Sequence, residues 1–130
     1  GCGMPAVSLR ATGVYGPAPG HKWEALFADY LAGRPVASRL GTELHGDDLA
    51  AAVALLLRAE DGVYNASDLL LDRNDLLALV QRRTGCPHPL PARADPAGFN
   101  PMATTRLRAL GWRPGGWPRL ERTVRAWFPD

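Results

Sequence analysis

Two stretches dense in glycine and proline decide what this chain can fold into. Gly13, Gly16, Pro17, Pro19 and Gly20 crowd one of them, and Pro87, Pro89, Pro91, Pro96 and Pro101 punctuate the other. Proline lacks a backbone N–H and holds φ fixed, while glycine loses the most freedom on ordering, so neither stretch continues a helix or a central strand. The chain between and around them must be built from short elements.

Those elements can be read from apolar periodicity. Residues 6–9, with Pro5 before them, read as a buried strand, and 13–20 as a loop. Trp23, Leu26, Phe27, Tyr30 and Leu31 recur on one face and predict a helix over 21–32, stopped by Gly33 with Pro35 beyond. Residues 35–44 leave room for one or two short strands. Residues 49–58 are nearly all Ala, Leu and Val, a helix expected to be buried on most sides, with Asp47 or Asp48 as its N-cap. A turn at 60–62 leads to a second buried strand over 62–66. Asp72 or Asn74 then caps a helix to about residue 83, with Leu76, Leu77, Leu79 and Val80 apolar and Thr84-Gly85 closing it. The proline-rich 86–101 segment reads as an extended crossing with room for one short edge strand. A short helix over 103–110 ends at Gly111, a turn occupies 113–116, and Pro118 lies near the first turn of a last helix to about 128. Leu120, Val124, Trp127 and Phe128 of that helix are expected to face inward. Strands separated by helices point to an α/β fold with some parallel pairing, mostly helical with a few short strands.

Composition narrows the function. At 46% hydrophobic and 22% charged the chain matches a soluble globular domain. Fifteen basic against thirteen acidic residues give a net charge of +2, and Lys22 is the single lysine. The arginines of the C-terminal helices are interleaved with Glu121 and apolar residues and lack an aromatic stacking platform, so they read as a solvated face, with no nucleic-acid partner. The longest apolar run, 49–57, is shorter than the roughly 18 residues of a membrane span. Cys2 and Cys86 form neither a disulfide framework nor a zinc spacing and read as free thiols in a reducing, cytoplasmic compartment. His21, His45 and His88 stand far apart, without metal-ligand spacing. A Gly-x-Gly-x-x-Gly turn, a Gly-x-x-x-x-Gly-Lys loop and a Gly-x-Ser-x-Gly elbow are all missing from the sequence. These residues therefore hold no self-contained catalytic constellation, and the chain opens directly on a core strand, as a fragment would.

Four segments resemble one known family. Leu9-Arg10 followed by Val14-Tyr15-Gly16-Pro17 resembles the "LR…N-V-Y-G-P" segment of the NAD-dependent epimerase/dehydratase family, the extended short-chain dehydrogenase/reductases. His45-Gly46-Asp47-Asp48-Leu49-Ala50 is similar to its "H/Y-V-D-D-V/L-A" segment. Gly62-Val63-Tyr64-Asn65 is similar to its "G-x-x-Y-N" strand, and Leu110-Gly111-Trp112-Arg113-Pro114 to its "L-G-W-x-P" signature. The resemblance spans almost the whole chain, in order and at nearly the family's spacing.

It implies a fragment of an extended Rossmann-type fold: a single C-terminal substrate-binding portion over 1–130, plus strands that complete the cofactor sheet. The NAD(P)-binding portion, with its glycine-rich loop and Tyr-x-x-x-Lys pair, is absent from these residues. The parent would be an enzyme transferring hydride at a substrate hydroxyl, with NAD or NADP as cofactor and a small-molecule substrate, nucleotide sugars among the candidates. This chain alone would bind no cofactor and carry no catalytic residue or metal. Its exposed sheet edges would favour self-association.

By position, the resemblance implies that Ala11, Thr12 and Gly13 line the site, with Thr12 able to hydrogen-bond the nicotinamide amide. Gly13 stands where the family often has Asn and offers a substrate only its backbone N–H. Tyr15 either contacts substrate or packs as an ordinary core tyrosine. The family's longer "G-D-G-x-x-x-R-D/W" hairpin is shortened here, which leaves Arg39 as the nearest substitute for its phosphate-clamping Arg. His45 matches a position near the substrate cavity. Asp48 reads as a helix cap, and Tyr64 and Asn65 as strand-end residues.

Overall fold

The computed structural model describes residues 7–18, 20–59, 62–97, 99 and 102–129. In chain order its elements are β1 (Val7–Ala11), β2 (Gly13–Tyr15), α1 (Glu24–Leu31), β3 (Leu40–His45), α2 (Gly46–Leu56), β4 (Gly62–Ala66), β5 (Leu69–Asp72), α3 (Arg73–Thr84), α4 (Thr105–Ala109) and α5 (Gly116–Trp127). β1 and β4 pair in parallel, with Val7 opposite Gly62 and Ala11 opposite Ala66. A second sheet runs β2-β3-β5: β2 is parallel to β3, with Tyr15 opposite His45, and β5 is antiparallel to β3. The α/β class expected from the sequence is the one that forms.

Several elements differ from expectation. Residues 13–15 form a strand rather than the start of a loop, because the β3 edge supplies hydrogen-bonding partners for a backbone that local residues alone would leave irregular. Leu69–Asp72, unread in the sequence, is a strand for the same reason. Residues 35–44 yield one strand, within expectation, and the described part of the crossing contains none. The helix starting at Gly46 is capped by His45, whose Nδ1 accepts the Asp47 N–H at 2.9 Å; neither Asp47 nor Asp48 caps it. Residues 49–58 are not buried on most sides: Val53 of α2 is 47% exposed and Leu57, at its C-cap, 83%. β1 is mostly exposed, and β4 buries Tyr64 and Ala66 while Val63 faces out. Cys2, Pro5, Ala6, Pro19, Glu60, Asp61 and Pro101 lie outside the described residues.

α3 follows its sequence signals closely. The Asp72 carboxylate accepts the Asn74 N–H at 2.8 Å, and Gly85 closes the helix at φ 72°, returning its N–H to Gln81. The other Asp72 oxygen accepts the Ala94 N–H at 2.8 Å and so anchors the crossing. The crossing's carbonyls find side-chain donors: Tyr30 Oη to His88, Asn74 Nδ2 to Pro91, and Ser38 Oγ to Ala92. A segment without ladder hydrogen bonds is thus held by its neighbours.

Two clusters make up the core. The larger joins Phe27 and Tyr30 of α1, Leu76, Leu77 and Val80 of α3, and Leu120 and Val124 of α5. The smaller packs Leu44, Ala52, Ala66, Leu107 and Trp112. Trp112 is 1% exposed, and its Nε1–H donates to the Asp48 backbone carbonyl at 2.9 Å. Trp112→Phe keeps most of the ring but leaves that buried carbonyl unpaired, which should cost about 1–3 kcal/mol. Urea unfolding monitored by circular dichroism measures the loss, and a midpoint equal to wild type would show that the bond contributes nothing.

Candidate functional site

The parallel pairing of β2 with β3 sets Gly13 opposite Glu43. The Glu43 side chain, 12% exposed, lies beside Gly13, and Lys22 reaches it from the turn leading into α1, with Nζ 2.6 and 2.8 Å from the two carboxylate oxygens. A Cβ at Gly13 would stand 2.5 Å from Glu43 Oε2 and 2.6 Å from Lys22 Nζ. The ion pair therefore occupies the space that any side chain at position 13 would need. The pair sits at a cavity of about 110 Å³ between α1, β3, β5 and the start of α3, whose lining includes Lys22, Trp23, Arg39, Glu43, Leu71 and Arg73. Three cations face one carboxylate there. Arg73 is steadied by a 3.1 Å hydrogen bond from Nη1 to the Ala37 carbonyl. The exposed Arg39 guanidinium makes no hydrogen bond or ion pair among the described residues.

Behind the cavity, Tyr15 stacks on Trp23 at 5.3 Å and meets His45 edge-on at 5.1 Å. Tyr15 is 2% exposed, and its hydroxyl has no hydrogen-bond partner among the described residues. Burial pushes its phenol well above the usual range, and the charges of Asp68, Asp48 and Glu43 push it the same way against Arg119. Those aspartates serve α5. Asp48 Oδ2 accepts the Gly115 N–H at 2.9 Å, Asp68 Oδ2 accepts the Gly116 N–H at 2.7 Å, and Arg119 Nε lies 3.6 Å from Asp48. Two carboxylates thus satisfy backbone donors at the start of α5, where its dipole favours negative charge. Burial raises the Asp68 carboxyl above its ordinary value; the Gly116 N–H opposes that shift, and Asp48 adds to it.

At the carboxyl ends of parallel β1 and β4, the Thr12 hydroxyl donates to Ser67 Oγ at 3.3 Å. A dinucleotide cofactor does not fit these residues as a whole. Its pyrophosphate needs a glycine-rich turn at a helix N-terminus, and the sequence has none. The Thr12–Ser67 hydroxyls offer one polar edge and nothing more. Among the described residues, no three His, Cys, Asp or Glu side chains group as a metal site would require. Also among them, no helix is long and apolar enough to cross a membrane.

The structure thus places Arg39 on the cavity lining and Gly13 behind its Glu43–Lys22 pair, sets Tyr15 and His45 together behind Trp23, and leaves Thr12 apart with Ser67. Lys22, Glu43 and Arg73 were not legible as site residues. A lone lysine in an arginine-rich chain was the one available signal, and the partnership with Glu43 depends on strand register.

No protein-family model and no curated protein matches the chain in sequence. Solved structures do. UDP-glucose 4-epimerase of Thermus thermophilus, in complex with NAD, is 29% identical and superposes with a TM-score of 0.69 over 97% of this chain and 47% of its own. The Bordetella bronchiseptica enzyme WbmG, in complex with NAD and UDP, gives 23%, 0.73, 97% and 45%. The dTDP-glucose 4,6-dehydratase of Bacillus anthracis gives 17%, 0.69, 93% and 44%. The chain spans just under half the length of these proteins. The resemblance to extended short-chain dehydrogenase/reductases read from the sequence is borne out, and the fold is that of part of a Rossmann-type epimerase.

A carboxyl whose pKa is raised by folding binds its proton more tightly in the native state, so its contribution to stability grows as pH falls. Wild type should therefore gain stability relative to Asp68→Asn between pH 7 and pH 4.5. Urea unfolding of both proteins at the two pH values measures this, and an unchanged difference would remove Asp68 as the responsible group.

Proposed function

We propose that the 130 residues form the C-terminal, substrate-binding portion of a longer NAD(P)-dependent epimerase or dehydratase of the nucleotide-sugar type. The observation that carries this is the cationic cavity beside Gly13, set in a fold whose likeness to such enzymes covers nearly the whole chain. Arg39 and Arg73 line that cavity, and guanidinium groups match phosphate oxygens geometrically. Gly13 and Tyr15 back two of its lining residues, Glu43 and Trp23, with His45 against Tyr15, and Thr12 is assigned to the cofactor side. The cofactor, NAD or NADP held by the rest of the protein, supplies hydride transfer at a substrate hydroxyl; the residues described here bind and orient the substrate.

Two observations on the isolated chain test the reading. Isothermal titration should give saturable heat with UDP and none with NAD, and Arg39→Met should weaken UDP severalfold. Saturable NAD binding, or UDP binding indifferent to Arg39, would overturn it. Sedimentation should also show concentration-dependent self-association, because the two-stranded β1–β4 sheet exposes Val7 at 36% and Val63 at 39%. A monomer at high concentration would contradict that expectation.

A further inference from the structure

We propose that Glu43, clamped by Lys22 over Gly13, is the specificity-determining residue of the cavity and takes two neighbouring hydroxyls of a sugar or polyol. The inference rests on the reading of this cavity as the substrate site and adds the chemistry that its inner end selects. Each Glu43 oxygen accepts one hydrogen bond from Lys22, at 2.6 and 2.8 Å, and keeps a further acceptor position. Lys22 spends two of its three donors on Glu43 and keeps one. The pair therefore offers two acceptors and a donor held in one geometry. Adjacent hydroxyls, each both donor and acceptor, complement that set, and a phosphate or carboxylate does not. Lys22's charge is already paired, so an anion at the inner end would meet the Glu43 carboxylate as a like charge.

Size points the same way. An engineered cavity of roughly 150 Å³ holds benzene, so the 110 Å³ here suits part of one sugar ring and not a nucleotide. Trp23, Leu26, Leu71 and Leu76 provide an apolar lining suited to the C–H surface of such a ring. Arg39 and Arg73 are left for any anionic remainder of the ligand. Gly13 is what permits the arrangement, since any larger residue would displace the pair.

The test uses the full chain and follows the Trp23 indole N–H by NMR. Its probes are methyl α-D-glucopyranoside, the single-deoxy analogues of that glycoside, and UDP. The glycoside should shift the Trp23 signal, and removing one of two adjacent hydroxyls should weaken binding about tenfold or more, the usual cost of losing a hydrogen bond to a charged group. Glu43→Gln should weaken the glycoside to a similar degree and should not weaken UDP, whose phosphates lie on the arginines and lose a nearby like charge. The deoxy series needs no variant and holds even if Glu43→Gln fails to fold. Equal binding of every deoxy analogue, or glycoside binding unchanged in a folded Glu43→Gln, would overturn the proposal. Glycoside binding without UDP binding would uphold it while the nucleotide-sugar reading falls. Absence of both would sink both.

Discussion

The fold depends most on what happens around Asp48. Its backbone carbonyl accepts the Trp112 indole N–H, and its buried carboxylate accepts the Gly115 N–H. A single residue at the start of α2 thereby holds both the tryptophan of the smaller core and the first turn of α5, whose Leu120 and Val124 enter the larger core. The two cores share this joint. An unpaired buried carboxylate would be costly, so the position of α5 is dictated as much by the need to satisfy Asp48 as by apolar contact. Asp68 repeats the arrangement one residue further along, at Gly116.

The same economy of buried charge shapes the cavity. Glu43 and Lys22 neutralise each other above Gly13, and among the described residues Arg39 and Arg73 form no ion pair. The lining therefore combines a neutral, polar pair with two cationic side chains.

Surface that a helix or sheet face would ordinarily bury stays open. Val53 of α2, Leu57 just beyond it, Val63 of β4 and Val7 of β1 are exposed, and so are Val14 of β2, Leu70 of β5 and Leu31 of α1. The larger core lies among the helices beside the three-stranded sheet, whereas β1 and β4 form a separate two-stranded sheet at the smaller core. The superposed enzymes are about twice the length of this chain, in keeping with an open side.

What the sequence determined by itself was the local grammar. Asp72, Gly85 and the apolar face of α3 announced that helix; the periodicity of Trp23, Phe27 and Tyr30 announced α1; and the prolines of 86–101 announced an extended crossing. Four short signatures also pointed to the family. Tertiary structure decided the rest because it depends on register and distance. Residues 13–15 and 69–72 became strands through pairing with β3, which no local pattern encodes. His45 is the cap because the helix begins at Gly46, at the end of β3, which puts both aspartates inside its first turn. The candidate site followed the same division: Gly13 and Arg39 could be named from position, but Lys22 and Glu43 met only once parallel pairing set Gly13, which has no side chain, against Glu43.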